Sequence, residues 1–308
     1  MTGLAAGMVD AGYAAGWRFL RAVPASVADA AFRFGADLAV RRAGPGVERL
    51  RANLGRVVPD AEPAVLDALV RAGLRSYARY WCEAFRLPAL DPVRVHARME
   101  PHVHGAGPLY DALAAGRGVV FALPHSGNWD AAGVWLVETL RRLGREPAFT
   151  TVVERLRPES LYRRFVAYRE SLGFEVVPAD DGNAVGMHRA LTRRLRAGGV
   201  VCLVADRDFG GSGVDVSFFG EPARLPGGPA RLAALTGAVL LPAYPRFTPD
   251  GWALPIAPPV PVATRAGVPT ATQALADALA GLISAAPADW HMLQPVWTAD
   301  RAARPVAA

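Results

Sequence analysis

The chain has 308 residues, 34 basic against 28 acidic side chains for a net charge of +6, and 52% hydrophobic residues. That composition supplies a large packed core and is not that of a disordered chain; with only Cys82 and Cys202, it also excludes a disulfide-stapled miniprotein. Every basic residue is arginine and no nucleic-acid-binding signature accompanies the charge, so an anionic membrane surface or a phosphorylated co-substrate suits it better than DNA or RNA.

The first 20 residues lack a basic n-region and a cleavage site, so no signal peptide is expected. Residues 2–16 are apolar but rich in Gly and Ala and carry Asp10, short of the roughly 20 apolar residues that span a bilayer. Leu4, Met8, Ala11, Ala15 and Phe19 recur at helical spacing beside Arg18 and Arg21. This pattern fits a helix lying in the membrane interface, or equally one packed on the protein itself. Residues 1–88 read as a mainly helical layer. Pro24 and Gly44-Pro45-Gly46 separate helices over 26–42 and 47–54. A longer helix starts near Pro63 with Asp60 as a possible cap, presents Leu66, Leu69, Val70, Gly73, Tyr77, Trp81 and Phe85 on one face, and stops at Pro88. No linker composition divides this layer from residues 89–308, so 1–308 reads as one domain.

From Val103 onward helices and strands alternate. Helices are predicted over 111–115, 130–143, 158–172, 184–196, 229–236 and 271–284. Strands are predicted over 118–123, 148–153, 174–177, 200–204, 239–244 and 252–256. Continuous apolar strands alternating with helices predict the α/β class, with a buried, largely parallel central sheet flanked by helices. Cys82 and Cys202 sit in apolar surroundings and read as reduced core residues of a cytoplasmic protein.

The chemistry concentrates where strand 118–123 runs into Pro124-His125-Ser126-Gly127-Asn128-Trp129-Asp130. His125 falls at the carboxyl end of a strand, in the turn that opens a helix, which is where α/β sheets place their ligands. On one continuous helix, positions 125 and 130 would diverge at about 100° per residue. With His125 in the turn and Asp130 in the first helical turn, the two can meet. A carboxylate on one imidazole nitrogen fixes the tautomer and leaves the other nitrogen as a base. The plain alternative is a histidine that merely caps a strand. Strand 200–204 ends in a second acidic cluster, Asp206-Arg207-Asp208, ahead of the loop Gly210-Gly211-Ser212-Gly213. By itself this reads equally as a solvated loop. Arg224 and the glycines before Pro229 form a possible anion site at a helix start, although proline-glycine there is more often only a turn. Arg155, Arg157, Arg163, Arg164 and Arg169 crowd strand 148–153 and the next helix, mostly as solvated faces, with some candidates for phosphate contact.

Four ordered segments carry a family resemblance. They are His125-Ser126-Gly127-Asn128-Trp129-Asp130; Asp206-Arg207-Asp208 followed by Phe218-Phe219-Gly220-Glu221; Glu154-Arg155-Leu156-Arg157-Pro158 with Tyr168-Arg169-Glu170-Ser171-Leu172-Gly173; and Asp289-Trp290-His291-Met292-Leu293-Gln294-Pro295-Val296-Trp297. Together they resemble the His-x4-Asp acyltransferases, closest to the bacterial lipid A late acyltransferases and their phosphatidylinositol mannoside branch. The resemblance implies a glycerolipid acyltransferase-like fold and an acyl-CoA-dependent O-acyltransferase without a metal or bound cofactor. It implies His125 as base, supported by Asp130 and by Asp206, with Asp208 as substitute. His125, Arg169, Ser212 and Arg224 are the implied contacts to acyl-CoA, and His291 is expected to be structural. The implied reaction moves a fatty acyl chain, palmitoyl by expectation, from acyl-CoA to a mannose hydroxyl of a phosphatidylinositol mannoside. Its expected place is the cytoplasmic face of the plasma membrane, as a peripheral protein. Another glycolipid or glycerophospholipid acceptor is the nearest alternative. A serine hydrolase would need a Gly-x-Ser-x-Gly elbow, which neither Ser126 nor Ser212 has. A non-catalytic lipid-binding protein would leave the His125/Asp130 pair without purpose.

Overall fold

The computed structural model describes residues 22–154, 159–179, 184–208 and 211–301. The helix expected over 2–16, with Arg155 and Arg157, lies outside them. The helical layer opens with α1 (Ala25–Arg42), α2 (Pro45–Val57) and α3 (Pro63–Arg86). Ala43, at a left-handed φ of 46°, closes α1 by donating its N–H to the carbonyls of Ala39 and Val40. Pro45 and Pro63 then preset the first turns of α2 and α3. Asp60 does not cap α3: the residue before Pro63 is Glu62, which makes no side-chain cap bond. Gly73 lets α3 approach α2, since a Cβ there would lie 3.3 Å from Leu50 Cδ2. Next comes α4 (Pro92–Met99), which sequence reading did not predict; Asp91 caps it by accepting from the Val93 N–H.

The remaining elements are β1 (Val103–His104), α5 (Gly107–Ala114), β2 (Val119–Leu123), α6 (Trp129–Arg142), β3 (Phe149–Glu154), α7 (Glu159–Ser171), β4 (Phe174–Ala179) and α8 (Ala184–Arg196). They continue with β5 (Val200–Val204), β6 (Val214–Phe218), β7 (Glu221–Leu225), α9 (Gly228–Thr236), β8 (Val239–Pro242), β9 (Arg246–Phe247), β10 (Trp252–Pro255) and α10 (Val268–Ala285). Strands β4, β3, β5, β2 and β8, in that spatial order, form a parallel sheet flanked by helices, as the alternating pattern predicts. Two features were not foreseen. Strand β10 joins the small β1-β10-β9 sheet instead of the central one, and β6 and β7 make an antiparallel hairpin.

Period-two alternation along β2 builds both halves of the core. Val119 and Phe121 pack into one cluster with Leu109, Leu113, Trp135, Leu140 and Leu254. Val120 and Ala122 face the other, with Leu50, Leu54, Leu225, Leu275 and Trp290. Because β2 is buried on both faces, its backbone is held rigidly, and the turn at its carboxyl end inherits that rigidity.

Candidate active site

Register places the two principal groups. Strands β2 and β5 run parallel with Leu123 opposite Val204, and the Ala205 N–H extends the ladder to the Leu123 carbonyl at 2.8 Å. Two residues farther along each chain stand His125 and Asp206. They therefore meet at the carboxyl edge of the sheet, although 81 positions apart. His125 Nδ1 lies 2.8 Å from Asp206 Oδ1, and the His125 backbone N–H donates to Asp206 Oδ2 at 2.9 Å. Trp290 Nε1–H donates to the same Oδ2 at 2.9 Å. The carboxylate is fully buried, whereas the imidazole keeps 29% of its surface. Burial alone would raise the Asp206 carboxyl. The charge of His125 and the donors from His125 and Trp290 outweigh it and hold the group below the usual carboxylate range. With Asp206 accepting at Nδ1, the proton is assigned to Nδ1 and the lone pair to Nε2.

The turn is shaped by Gly127 and Asn128. Gly127 sits at φ +49°, and a Cβ there would come within 2.5 Å of the Pro245 carbonyl oxygen, so only glycine fits. Its N–H donates to the Asp289 carbonyl at 2.9 Å and is thereby engaged within the protein. Asn128 caps α6 by accepting from the Ala131 N–H at 2.9 Å, and its amide donates to Glu83 at 2.8 Å. Trp129 stands edge-on to His125, ring centroids 6.1 Å apart.

Asp130 departs from expectation. Among the described residues it makes no hydrogen bond to His125. It instead accepts from Arg169 Nε at 3.0 Å and from the Tyr80 hydroxyl at 3.1 Å. The reason is helical phase: once α6 begins at Trp129, position 130 turns toward α3 and α7 instead of back toward the turn. The carboxylate hydrogen-bonded to the histidine ring is Asp206, whereas Asp130 forms a buried ion pair with Arg169. Arg169, expected at a phosphate, is thereby engaged inside the protein. Burial would lower its charge preference, but Asp130 beside it raises its affinity for the proton. Arg224, nearer the surface, donates to the carbonyls of Gly211 and Gly213, at 2.9 and 2.8 Å, and pairs with Asp215 at 3.0 Å, tying down the loop that presents exposed Ser212. Asp208, the alternative to Asp206, accepts from the Gly213 N–H at 3.0 Å within that same loop.

Beside the histidine turn lies a narrow, mainly apolar cavity. It is lined at the strand ends by Leu123 and Val204, at the start of α6 by Trp129 and Asp130, and farther along by Gly133, Leu136, Phe149 and Phe174. Arg169 and Cys202 also face it, and burial pushes the Cys202 thiol up, so it is inert as a nucleophile. His291 is buried against Ser76 Oγ at 2.8 Å; desolvation, then the nearby charge of His125, pull its pKa down to about 3, and it stays neutral. The contacts of Asn128, Trp129 and Trp290 were not legible as such beforehand, although Asn128 directly before the buried helix α6 is an N-cap signal.

Residues 7–299 match the model of a family described as bacterial lipid A biosynthesis acyltransferase. A phosphatidylinositol mannoside acyltransferase from Mycolicibacterium smegmatis is 53% identical over 294 residues, covering 95% of this chain and 92% of that protein. A protein of the same name from Mycobacterium tuberculosis strain H37Rv is 50% identical over 291 residues, covering 94% and 89%.

Proposed function

The chain belongs to the bacterial lipid A biosynthesis acyltransferase family, and on that premise we propose that it moves a fatty acyl group from acyl-CoA to a mannose hydroxyl of a phosphatidylinositol mannoside. The observation that carries this reading is the His125–Asp206 pair, partly open to solvent on the imidazole side, on a turn whose flanking Leu123 and Trp129 line an apolar cavity. The names borne by the mycobacterial relatives support the acceptor.

In the proposed reaction His125 Nε2 removes the proton of the acceptor hydroxyl while that oxygen attacks the thioester carbonyl. The C–S bond breaks as the new ester C–O bond forms. The coenzyme A thiolate leaves and takes up the proton from the imidazolium, so the enzyme returns to its starting state with no covalent intermediate. Asp206 holds the Nδ1–H tautomer and offsets the positive charge on the ring during transfer. The acyl chain, palmitoyl by preference, passes Trp129, and the cavity of about 70 Å³ against Leu136, Phe149 and Phe174 takes part of its length.

The site of action is the inner surface of the plasma membrane. No helix among the described residues is long and apolar enough to cross a membrane. The outer face of α1 exposes Val27 and Phe34, with Arg41 and Arg42 in its last turn, a combination that suits anionic lipid. Purified protein incubated with labelled palmitoyl-CoA and the mannolipid should yield acylated mannolipid, and His125→Ala should abolish it. Undiminished transfer by the folded His125→Ala protein, or transfer only to a different lipid, would overturn the reading.

A further inference from the structure

The geometry points to Trp290 as a positioning residue, whose indole N–H orients the Asp206 carboxylate so that its other oxygen is presented to His125. This inference rests on the acyl-transfer reading above. Asp206 Oδ2 accepts two hydrogen bonds, from the His125 backbone and from the Trp290 indole, each at 2.9 Å, which leaves Oδ1 for the imidazole at 2.8 Å. The backbone donor alone cannot define the rotation of the carboxyl plane. A second donor from the opposite chain segment can, because two fixed donors on one oxygen define the position of the other.

Trp290 is itself held on both sides. The segment Asp289-Trp290-His291 runs antiparallel to the histidine turn, bridging Trp290 to Ser126. The Gly127 N–H donates to the Asp289 carbonyl at 2.9 Å, and the His291 N–H donates to the His125 carbonyl at 2.7 Å. The side chain of Asp289 accepts from Ser76 Oγ at 2.5 Å and from the Phe247 N–H at 2.8 Å, anchoring the segment to α3 and β9. The indole is fully buried, with Phe218 and Trp297 edge-on to it. An aromatic ring at position 290 would serve packing alone. The nitrogen aimed at a buried carboxylate is the feature that packing does not require, and a buried carboxylate deprived of a donor is costly.

The test separates the N–H from the ring. Trp290→Phe and, at position 290 alone, a tryptophan analogue with sulfur in place of the indole N–H are compared with wild type and His125→Ala. The expected result for the sulfur analogue is a kcat lowered about tenfold, the worth of one hydrogen bond to a charged group. KM for acyl-CoA and for the mannolipid should stay within about twofold of wild type. The Nδ1 proton resonance of His125 in the ligand-free protein should shift as well, a readout independent of turnover. An unchanged kcat and resonance in the sulfur analogue, or a loss in Trp290→Phe that merely follows a lowered Tm, overturns the inference. If His125→Ala keeps full transfer, the acyl-transfer reading fails, and the resonance still decides whether Trp290 orients the pair.

Discussion

Replacing Asp206 and Asp130 in turn by asparagine distinguishes the two carboxylates near His125. In Asp206→Asn the amide oxygen takes the place of Oδ2, because two donors, the His125 N–H and the Trp290 indole, already point there at 2.9 Å. The amide NH2 then faces His125 Nδ1, where an acceptor stood at 2.8 Å. Facing a donor, Nδ1 turns acceptor, the ring proton moves to Nε2, and the base is lost. A charge-assisted hydrogen bond is worth about 1.5–3 kcal/mol, or roughly 10- to 150-fold, and a reversed tautomer costs about 10⁴-fold in a Ser-His-Asp triad. We expect kcat to fall 10²- to 10⁴-fold with little change in Tm, since volume and packing are retained. Asp130→Asn should act otherwise. It leaves the Arg169 cation uncompensated in the interior, a loss of about 3–5 kcal/mol of stability. The protein that remains folded should keep kcat within about tenfold of wild type. Steady-state transfer kinetics with Tm measured on each variant provide the assay. If Asp206→Asn turns over within threefold of wild type while well-folded Asp130→Asn is dead, the assignment of the orienting acid is wrong.

Gly127→Ala should destabilise the fold by about 1–3 kcal/mol or more, because φ is +49° and the added methyl would meet the Pro245 carbonyl oxygen at 2.5 Å; urea denaturation reads the loss, and an unchanged midpoint would refute the turn geometry. Gly133→Ala places a Cβ 2.4 Å from Phe174 Cζ and 3.0 Å from Phe149, driving the rings toward the cavity. Competition between palmitoyl-CoA and decanoyl-CoA should then favour the shorter donor, and an unaltered preference would place the acyl chain elsewhere. His291 is held neutral down to about pH 3, whereas the unfolded chain takes up that proton near its ordinary value of about 6.5. With more protons on the unfolded side, stability falls as pH drops from about 6.5 toward about 3, by up to one proton's slope. His291→Gln should flatten that dependence, and a parallel curve would show that His291 is not the responsible group.

The layered α/β plan was legible because it rests on short-range pattern. Continuous apolar runs such as 119–123 and 200–204 bury on both faces whatever surrounds them, and prolines 45 and 63 preset helix starts locally. The placement of strand 252–255 was not legible, since alternation says that a strand exists and not which neighbour it pairs with. Helix 92–99 was not legible because its eight residues make barely two turns, too few for a helical period to stand out.

For the site, the strand-to-helix turn bearing His125 follows from the chain itself, as do the candidate acids. Which acid serves the histidine does not. Asp130 is near in sequence, but the phase of α6 carries it to Arg169 and Tyr80. Asp206 is distant, yet the parallel register of β2 against β5 sets it alongside His125, and the returning segment at 289–291 brings the Trp290 indole to its other oxygen. Neighbouring strands stand about 4.8 Å apart regardless of how many residues separate them along the chain, so sheet register, which no local pattern encodes, made the choice.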